Sequence, residues 1–405
     1  MWRGAAFGVC PGAACGALVR CHPGELALEV GQVTPDLGIR AGVDSRHPIY
    51  RGQIVTSFAS WDLLDLQRRR EISKSIVHAL EEFGGHAGIG RQSGGLTDAH
   101  TRAERRIAHF FGAESALLFG TRAQSVLTCI TALCSEGWVV LGAALTTLPL
   151  ADACALVGAD FYEFDSDAAL QALLERFQLS KRVLVFVESV SAVTGEITDV
   201  QATFSMLERC GAWGVVDESA ALGIVGMRGA GSAEELPISP VLLARIVGLG
   251  LVAGVELAAI VCMNEFRELL LKRSRYLRIE SPPPVTAVCG AHSALDLIEV
   301  SILQRKMISA RGRLVEGAAR EQGWSVLGGG EVPVMSVWFD SFKKAQLIQA
   351  ALLQRSIFVE ALAARSVRKT GAVLRVLLSN AHTQKEIESL IEGFAEVRKR
   401  LAADI

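Results

Sequence analysis

The sequence predicts an α/β protein: a large domain built on a mostly parallel sheet, followed by a smaller α+β domain at the C-terminal end. Two observations carry that reading. Short aliphatic runs of strand length recur between stretches with helical spacing, and no repeat, low-complexity tract or Gly/Ser linker divides the chain. A third observation sets the scale, since 405 residues, 50% hydrophobic and 21% charged, hold ample core for two or three structural units.

The elements follow in order. Residues 1–21 are small and apolar, but Gly and Pro interrupt them before a leader-length apolar core forms, so a cleaved signal is not expected. Residues 1–49 are assigned to an N-terminal segment that packs on the small domain or on a partner. Residues 68–83 place Ile72, Ile76, Val77, Leu80 and Phe83 at helical spacing, and Gly84-Gly85 stops that helix. A second amphipathic helix is expected over 99–111, with Ala103, Ile107 and Phe110 on one face. Aliphatic runs at 138–141, 161–164, 183–187, 213–216 and 257–262 then alternate with helical stretches such as 168–177 and 200–210. Runs bounded in this way read as buried strands flanked by helices. Residues 246–263 reach about the minimum membrane-spanning length, yet Glu256 lies near their middle, and two buried strands joined by a turn fit better. Beyond Pro284 a long helix over 291–322 leads into a unit with strands at 332–339 and 373–378. The expected boundaries are 50–290 for the large domain and 291–405 for the small one.

Charge and cysteine usage narrow the functions. With 41 Lys+Arg against 43 Asp+Glu there is no concentrated basic face, so nucleic acid is excluded as the expected partner. Nine cysteines without a CxxC pair indicate neither a disulfide framework nor a zinc site and fit a reducing cytoplasm. Membrane association through a substrate or partner is the other option. In parallel sheets ligands sit beyond the carboxyl ends of the strands, which directs attention to Glu188-Ser189 and Asp217-Glu218.

Those positions belong to a longer pattern. Segment 58–66 (Phe-Ala-Ser-Trp-Asp-Leu-Leu-Asp-Leu) is followed by Gly90-Arg91, Gly94-Gly95, His100 and Glu104, and then by 111–119 (Phe-Gly-Ala-Glu-Ser-Ala-Leu-Leu-Phe). Farther on come Glu188-Ser189, Thr194-Gly195-Glu196-Ile197, Val216-Asp217-Glu218-Ser219, the glycines 223, 226, 229 and 231, and Ala381-His382-Thr383. The series resembles the α-oxoamine synthases, a group of fold-type I pyridoxal-phosphate enzymes that includes serine palmitoyltransferase and 8-amino-7-oxononanoate synthase. It covers residues 50–400 in order and leaves the N-terminal 45 residues uncovered.

The resemblance implies a dimer with active sites at the subunit interface and decarboxylative condensation of an amino acid with an acyl thioester. The cofactor needs a lysine for its Schiff base, an acid for its ring nitrogen and donors for its phosphate. The family lysine aligns to Ala253, within Gly250-Leu251-Val252-Ala253-Gly254, and no lysine lies between Lys181 and Lys272. The ring-stacking His aligns to Thr147, the His of Asp-Glu-Ala-His to Ala220, and the phosphate-cradling Ser-Gly-Tyr/Phe to Thr121-Arg122-Ala123. The hydroxyl residues flanking the lysine align to Gly250 and Val252. Asp217 alone remains at the position of the ring-nitrogen partner, or serves as an inherited capping residue.

The expectation is therefore a catalytically silent subunit that binds no pyridoxal phosphate alone. It pairs with a Lys-bearing paralogue or with itself and supports serine and acyl-thioester condensation on the partner, as in sphingoid-base formation. Arg91, Arg375 and His382 are its interface or substrate candidates, with structural ion pairs or a helix start as their bland alternatives; the first Arg of the family's Arg-Leu-Arg aligns to Val373. Arg122 either fills the phosphate site, holds another anion, or faces solvent. Two alternatives belong to other classes. One is a homodimeric scaffold that binds an acyl ligand in a pocket made apolar by Val252, Ala253 and Ala220, or that binds acyl-CoA or an acyl-carrier protein. The other is a cofactor-independent acyltransferase using Cys129, Cys134 or Cys262.

Overall fold

The computed structural model describes residues 39–40, 46–50, 52–86, 88–146, 149–177, 182–234, 236–365 and 370–403. Most of the N-terminal segment 1–49 lies outside the described residues.

Near-continuous aliphatic runs become strands buried on both faces. The central sheet has seven, in spatial order Ser115–Phe119, Ala258–Cys262, Leu242–Gly248, Trp213–Asp217, Arg182–Glu188, Trp138–Ala143 and Asp160–Phe164. Ala258–Cys262 runs antiparallel to both neighbours, and the remaining pairings are parallel. Helices cover both faces, as crossover connections between parallel strands require. Two strands extend the sequence reading. Ser115–Phe119 is a five-residue run hidden inside a motif, and Leu242–Gly248 begins upstream of Ile246, where a charged residue, Arg245, interrupts the apolar pattern. Arg245 is nevertheless 1% exposed, and its guanidinium donates to the carbonyls of Phe111 and Leu236. The apolar stretch 246–263 is the end of one strand, the one-turn helix Gly250–Ala253 and the strand Ala258–Cys262.

The long helix expected over 291–322 is two helices, Val285–Val300 and Ile302–Glu321, bent by 73° at Ser301. The break is locally satisfied. Ser301 Oγ donates to the Leu297 carbonyl at 2.6 Å and Arg305 Nη1 to the Ile298 carbonyl at 2.6 Å, occupying acceptors that a helix end leaves open. The second helix leads to the small domain, whose four antiparallel strands lie in the order Val326–Gly328, Val334–Phe339, Thr370–Leu377 and Glu360–Arg365. The strand expected from Val332 starts only at Val334, after Pro333, which has no N–H to give to a ladder.

Residues 47–58 pack on this small domain. Thr56–Ser57 pairs in parallel with Ile357–Phe358, the Leu377 N–H donates to the Phe58 carbonyl, and His47 Nε2 meets Glu386 Oε1 at 2.6 Å. One hydrophobic cluster runs through both domains, from Phe58, Phe110 and Leu118 through Val252 and Ile298 to Val334 and Phe394. Among the described residues, no single helix is long and apolar enough to cross a membrane.

Candidate functional site

The carboxyl ends of neighbouring strands bring two acids side by side. Glu188 ends Arg182–Glu188, Asp217 ends Trp213–Asp217, and the two are directly paired in the ladder. Asp217 is 2% exposed; its Oδ1 accepts the Ser219 N–H at 2.8 Å, whereas its buried Oδ2 accepts no hydrogen bond. Ser219 in turn accepts the Gly248 N–H on its Oγ at 2.7 Å, locking the ends of two adjacent strands together.

Arg122 reaches this pair from a third strand. It is the first residue of the helix Arg122–Leu133, which follows Ser115–Phe119 and is capped by Thr121. The Thr121 Oγ1 accepts the Gln124 N–H at 3.2 Å, and the Gln124 side chain accepts the Thr121 N–H at 3.1 Å. From that fixed start the side chain runs across the glycine end of Leu242–Gly248. A Cβ at Gly248 would stand 3.4 Å from Arg122 Cβ and Cδ, so this glycine makes the groove for the arginine stem. The guanidinium Nη1 ends 3.5 Å from Asp217 Oδ2 and 3.9 Å from Glu188 Oε1. Arg122 thus points inward to the acids, and its side chain is 20% exposed. Sequence reading had no means of giving this direction, because it depends on Gly248, which lies beside Arg122 only in the folded sheet.

Glu218 faces the opposite way and builds the glycine loop. Its carboxylate accepts from Ser189 Oγ, from the Ser232 N–H at 3.0 Å and from the Ala233 N–H at 2.7 Å. Burial pushes its carboxyl above the usual carboxylate range.

The positions aligned with the lysine and its surroundings are core. Val252 and Ala253 are 0% exposed and Ala220 3%, all within the main hydrophobic cluster, and Val252 packs at the Gly223 turn beside Leu64 and Ile298. They are close-packed instead of lining the apolar chamber expected for an acyl chain. Gly250 leaves room for the Glu256 carboxylate, which a Cβ there would approach to 2.6 Å. Thr147 lies outside the described residues.

The three interface candidates make their contacts within the chain. Arg91 is buried, pairs with Glu104 and donates to the Leu118 carbonyl at 3.5 Å; Glu104 also meets Arg267 at 3.3 Å. Arg375 pairs with Glu360, donates to the Ala192 carbonyl at 2.7 Å and lies over the Trp61 ring, tying the small sheet to the large domain. His382 stacks on Phe58 and bridges the Ser379 N–H and the Ser57 carbonyl. None of the three leads into the Glu188–Asp217 site. The cysteines proposed as nucleophiles are unsuited to it: Cys129, Cys134 and Cys262 are buried, and burial pushes their thiols up, to about 12 for Cys134 and Cys262. Among the described residues, no group of three or more His, Cys, Asp or Glu could hold a metal ion.

The fold is that of the fold-type I pyridoxal-phosphate transferases. The chain superimposes on the serine palmitoyltransferase of Sphingomonas wittichii with a TM-score of 0.82 at 20% identity, over 91% of this chain and 95% of that one. It matches a serine palmitoyltransferase solved with its pyridoxal phosphate internal aldimine equally well, with a TM-score of 0.82, 19% identity and coverage of 91% and 93%. In sequence it is 31% identical over 350 residues to the 8-amino-7-oxononanoate synthase of Stutzerimonas stutzeri (strain A1501), covering 85% of this chain and 88% of that enzyme. No family model matches the chain. The chain belongs to the α-oxoamine synthase family.

Proposed function

We propose that this chain is a catalytically silent member of its family, a subunit that completes the active site of a Lys-bearing paralogue without holding a cofactor of its own. The named relatives are catalytic enzymes, so the reading departs from them on one observation. The segment between the Asp217 strand and the strand Ala258–Cys262 contains no amine, and its helix Gly250–Ala253 ends in two core residues, Val252 and Ala253. A Schiff base to a carbonyl cofactor requires an amine. The acid that would face the cofactor's ring nitrogen already faces the Arg122 guanidinium. The donor set present does not fit pyridoxal phosphate.

In the proposed complex the partner carries the cofactor and condenses serine with an acyl thioester, supplied by acyl-CoA or an acyl-carrier protein, to give a sphingoid base. The silent chain contributes by shaping the interface and excluding water from the partner's site. Because Arg91, Arg375 and His382 are engaged internally, that contribution falls to the surface of the fold. The same proposal places the complex in the cytoplasm, with membrane contact only through its partner or acyl substrate. The test is purification of the chain alone and after co-expression with a Lys-bearing paralogue, each assayed for visible cofactor absorbance and for condensation. The reading requires both signals in a co-purified complex and neither in the single chain. Absorbance and turnover from the single chain would overturn it.

A further inference from the structure

The helix Ile302–Glu321 is apolar on two faces. Arg305, Ile308, Gly312, Val315 and Ala319 are buried, and a Cβ at Gly312 would meet the Gly330 carbonyl at 3.0 Å. The opposite face carries Leu303, Met307, Ala310, Leu314 and Gly317, spaced alternately four and three residues apart. Leu303 is 71% exposed, Met307 53% and Leu314 48%, and a Cβ at Gly317 would meet nothing within 4 Å. That alternation is the spacing of a coiled-coil seam, in which side chains of one helix enter the holes of a facing one. A surface helix ordinarily shows one apolar stripe, turned to its own core.

The residues bordering the outer seam say what lies against it. Lys306, Arg313 and Arg320 follow one edge at seven-residue intervals. Arg320 pairs with Glu316, whereas Lys306 and Arg313 are exposed and meet no acid among the described residues. The other edge has Gln304, Arg311 and Ala318, with Arg311 donating to the Ser379 and Asn380 carbonyls. A second copy of the helix would set this row of cations against itself when antiparallel, and against glutamine, arginine and alanine when parallel. Neither arrangement supplies an acid, and like charges face to face reject a partner.

We propose that this outer seam is a docking site for an amphipathic helix of another protein, one whose apolar stripe is bordered by carboxylates. Leu303, Met307 and Leu314 are the anchors, and Lys306 and Arg313 set the sign of the partner. Ala310 and Gly317 leave the gaps that the partner's larger side chains enter. The inference goes beyond the functional reading and does not depend on it, since the seam includes no residue of the Glu188–Asp217 site.

The test uses the full chain and two fluorescein-labelled peptides of three heptads, both with leucine at the seam positions, one with glutamate and one with lysine beside them. Fluorescence anisotropy should show saturable binding of the glutamate peptide, weakened by salt, and none of the lysine peptide. Leu303→Gln with Met307→Gln should weaken binding about tenfold or more, as loss of anchor side chains does. Lys306→Glu with Arg313→Glu should reverse the preference between the peptides. All of these positions are exposed, so the core is untouched, and the comparison of the two peptides needs no variant. Absence of saturable binding, equal binding of both peptides, or binding unaltered by both double variants would overturn the proposal. A wild-type dimer that Leu303→Gln with Met307→Gln converts to monomer in sedimentation would overturn it in favour of a second copy. Binding to phosphatidylglycerol vesicles that the same variant abolishes would overturn it in favour of a membrane. The functional reading fails separately, through cofactor uptake or turnover by the single chain.

Discussion

His382 is an uncharged ring held between backbone groups of Ser57 and Ser379. Its Nδ1 accepts the Ser379 N–H at 2.9 Å, which leaves the proton on Nε2 to meet the Ser57 carbonyl at 3.0 Å. Burial lowers its pKa to about 4 from an ordinary 6.5, with Arg46 and Arg311 adding to the effect and Glu386 opposing it. The folded state thus binds fewer protons here than the unfolded state between those values. Stability from this residue is complete above pH 6.5 and is lost as the pH falls towards 4. The loss amounts to about 3 kcal/mol at most, at 1.4 kcal/mol per unit. A His382→Gln variant should flatten the acid limb of a urea-denaturation series over that window, and an acid limb identical to wild type would refute the assignment. At this scale the sequence was readable where chemistry depends on residue type alone. The absence of an amine across 182–271 is plain from the letters. The direction of Arg122 is not, since a side chain's course is set by neighbours from other strands, here Gly248 and Asp217.

The bend at Ser301 shows what element-level patterns leave out. Apolar spacing continues through residues 291–322, so periodicity alone extends one helix over both pieces. What ends the first helix is a pair of side chains that satisfy its terminal carbonyls, together with a tertiary anchor: Arg305 Nη2 also donates to the Met227 carbonyl at 2.9 Å. Removing a charged donor from two buried acceptors costs about 2 kcal/mol. Arg305→Ala should lower the urea midpoint accordingly, whereas a shift below roughly 0.5 kcal/mol would mean that the bend does not depend on this side chain. The strands tell a similar story. The runs at 138–141, 183–187 and 213–216 became strands because both faces of a parallel sheet are buried, which leaves a continuous apolar signature. Leu242–Gly248 was partly concealed by Arg245, whose charge is buried but answered by two carbonyls. Glu360–Arg365 was concealed by its alanines, which have little intrinsic preference for strands.

On the scale of the whole molecule, the chain keeps the scaffold of its family while its candidate site is closed by its own side chains. A continuous core joins the two domains, and Arg375, Ser336 and His382 bind the seams between segments distant in sequence: Arg375 to Ala192, Ser336 to Val193 and His382 to Ser57. This arrangement predicts a chain that is folded and stable without a ligand and whose thermal midpoint does not move with added pyridoxal phosphate, whereas a molecule that binds only the native state would raise it. The central claim is that the chain holds no pyridoxal phosphate of its own. Its most direct test is incubation of the purified protein with pyridoxal phosphate, reduction with borohydride, and intact-mass and peptide mass spectrometry, with a Lys-bearing family enzyme as the positive control. The account predicts no stoichiometric adduct on this chain. One lysine modified in every molecule would contradict it and return the protein to the catalytic members of its family.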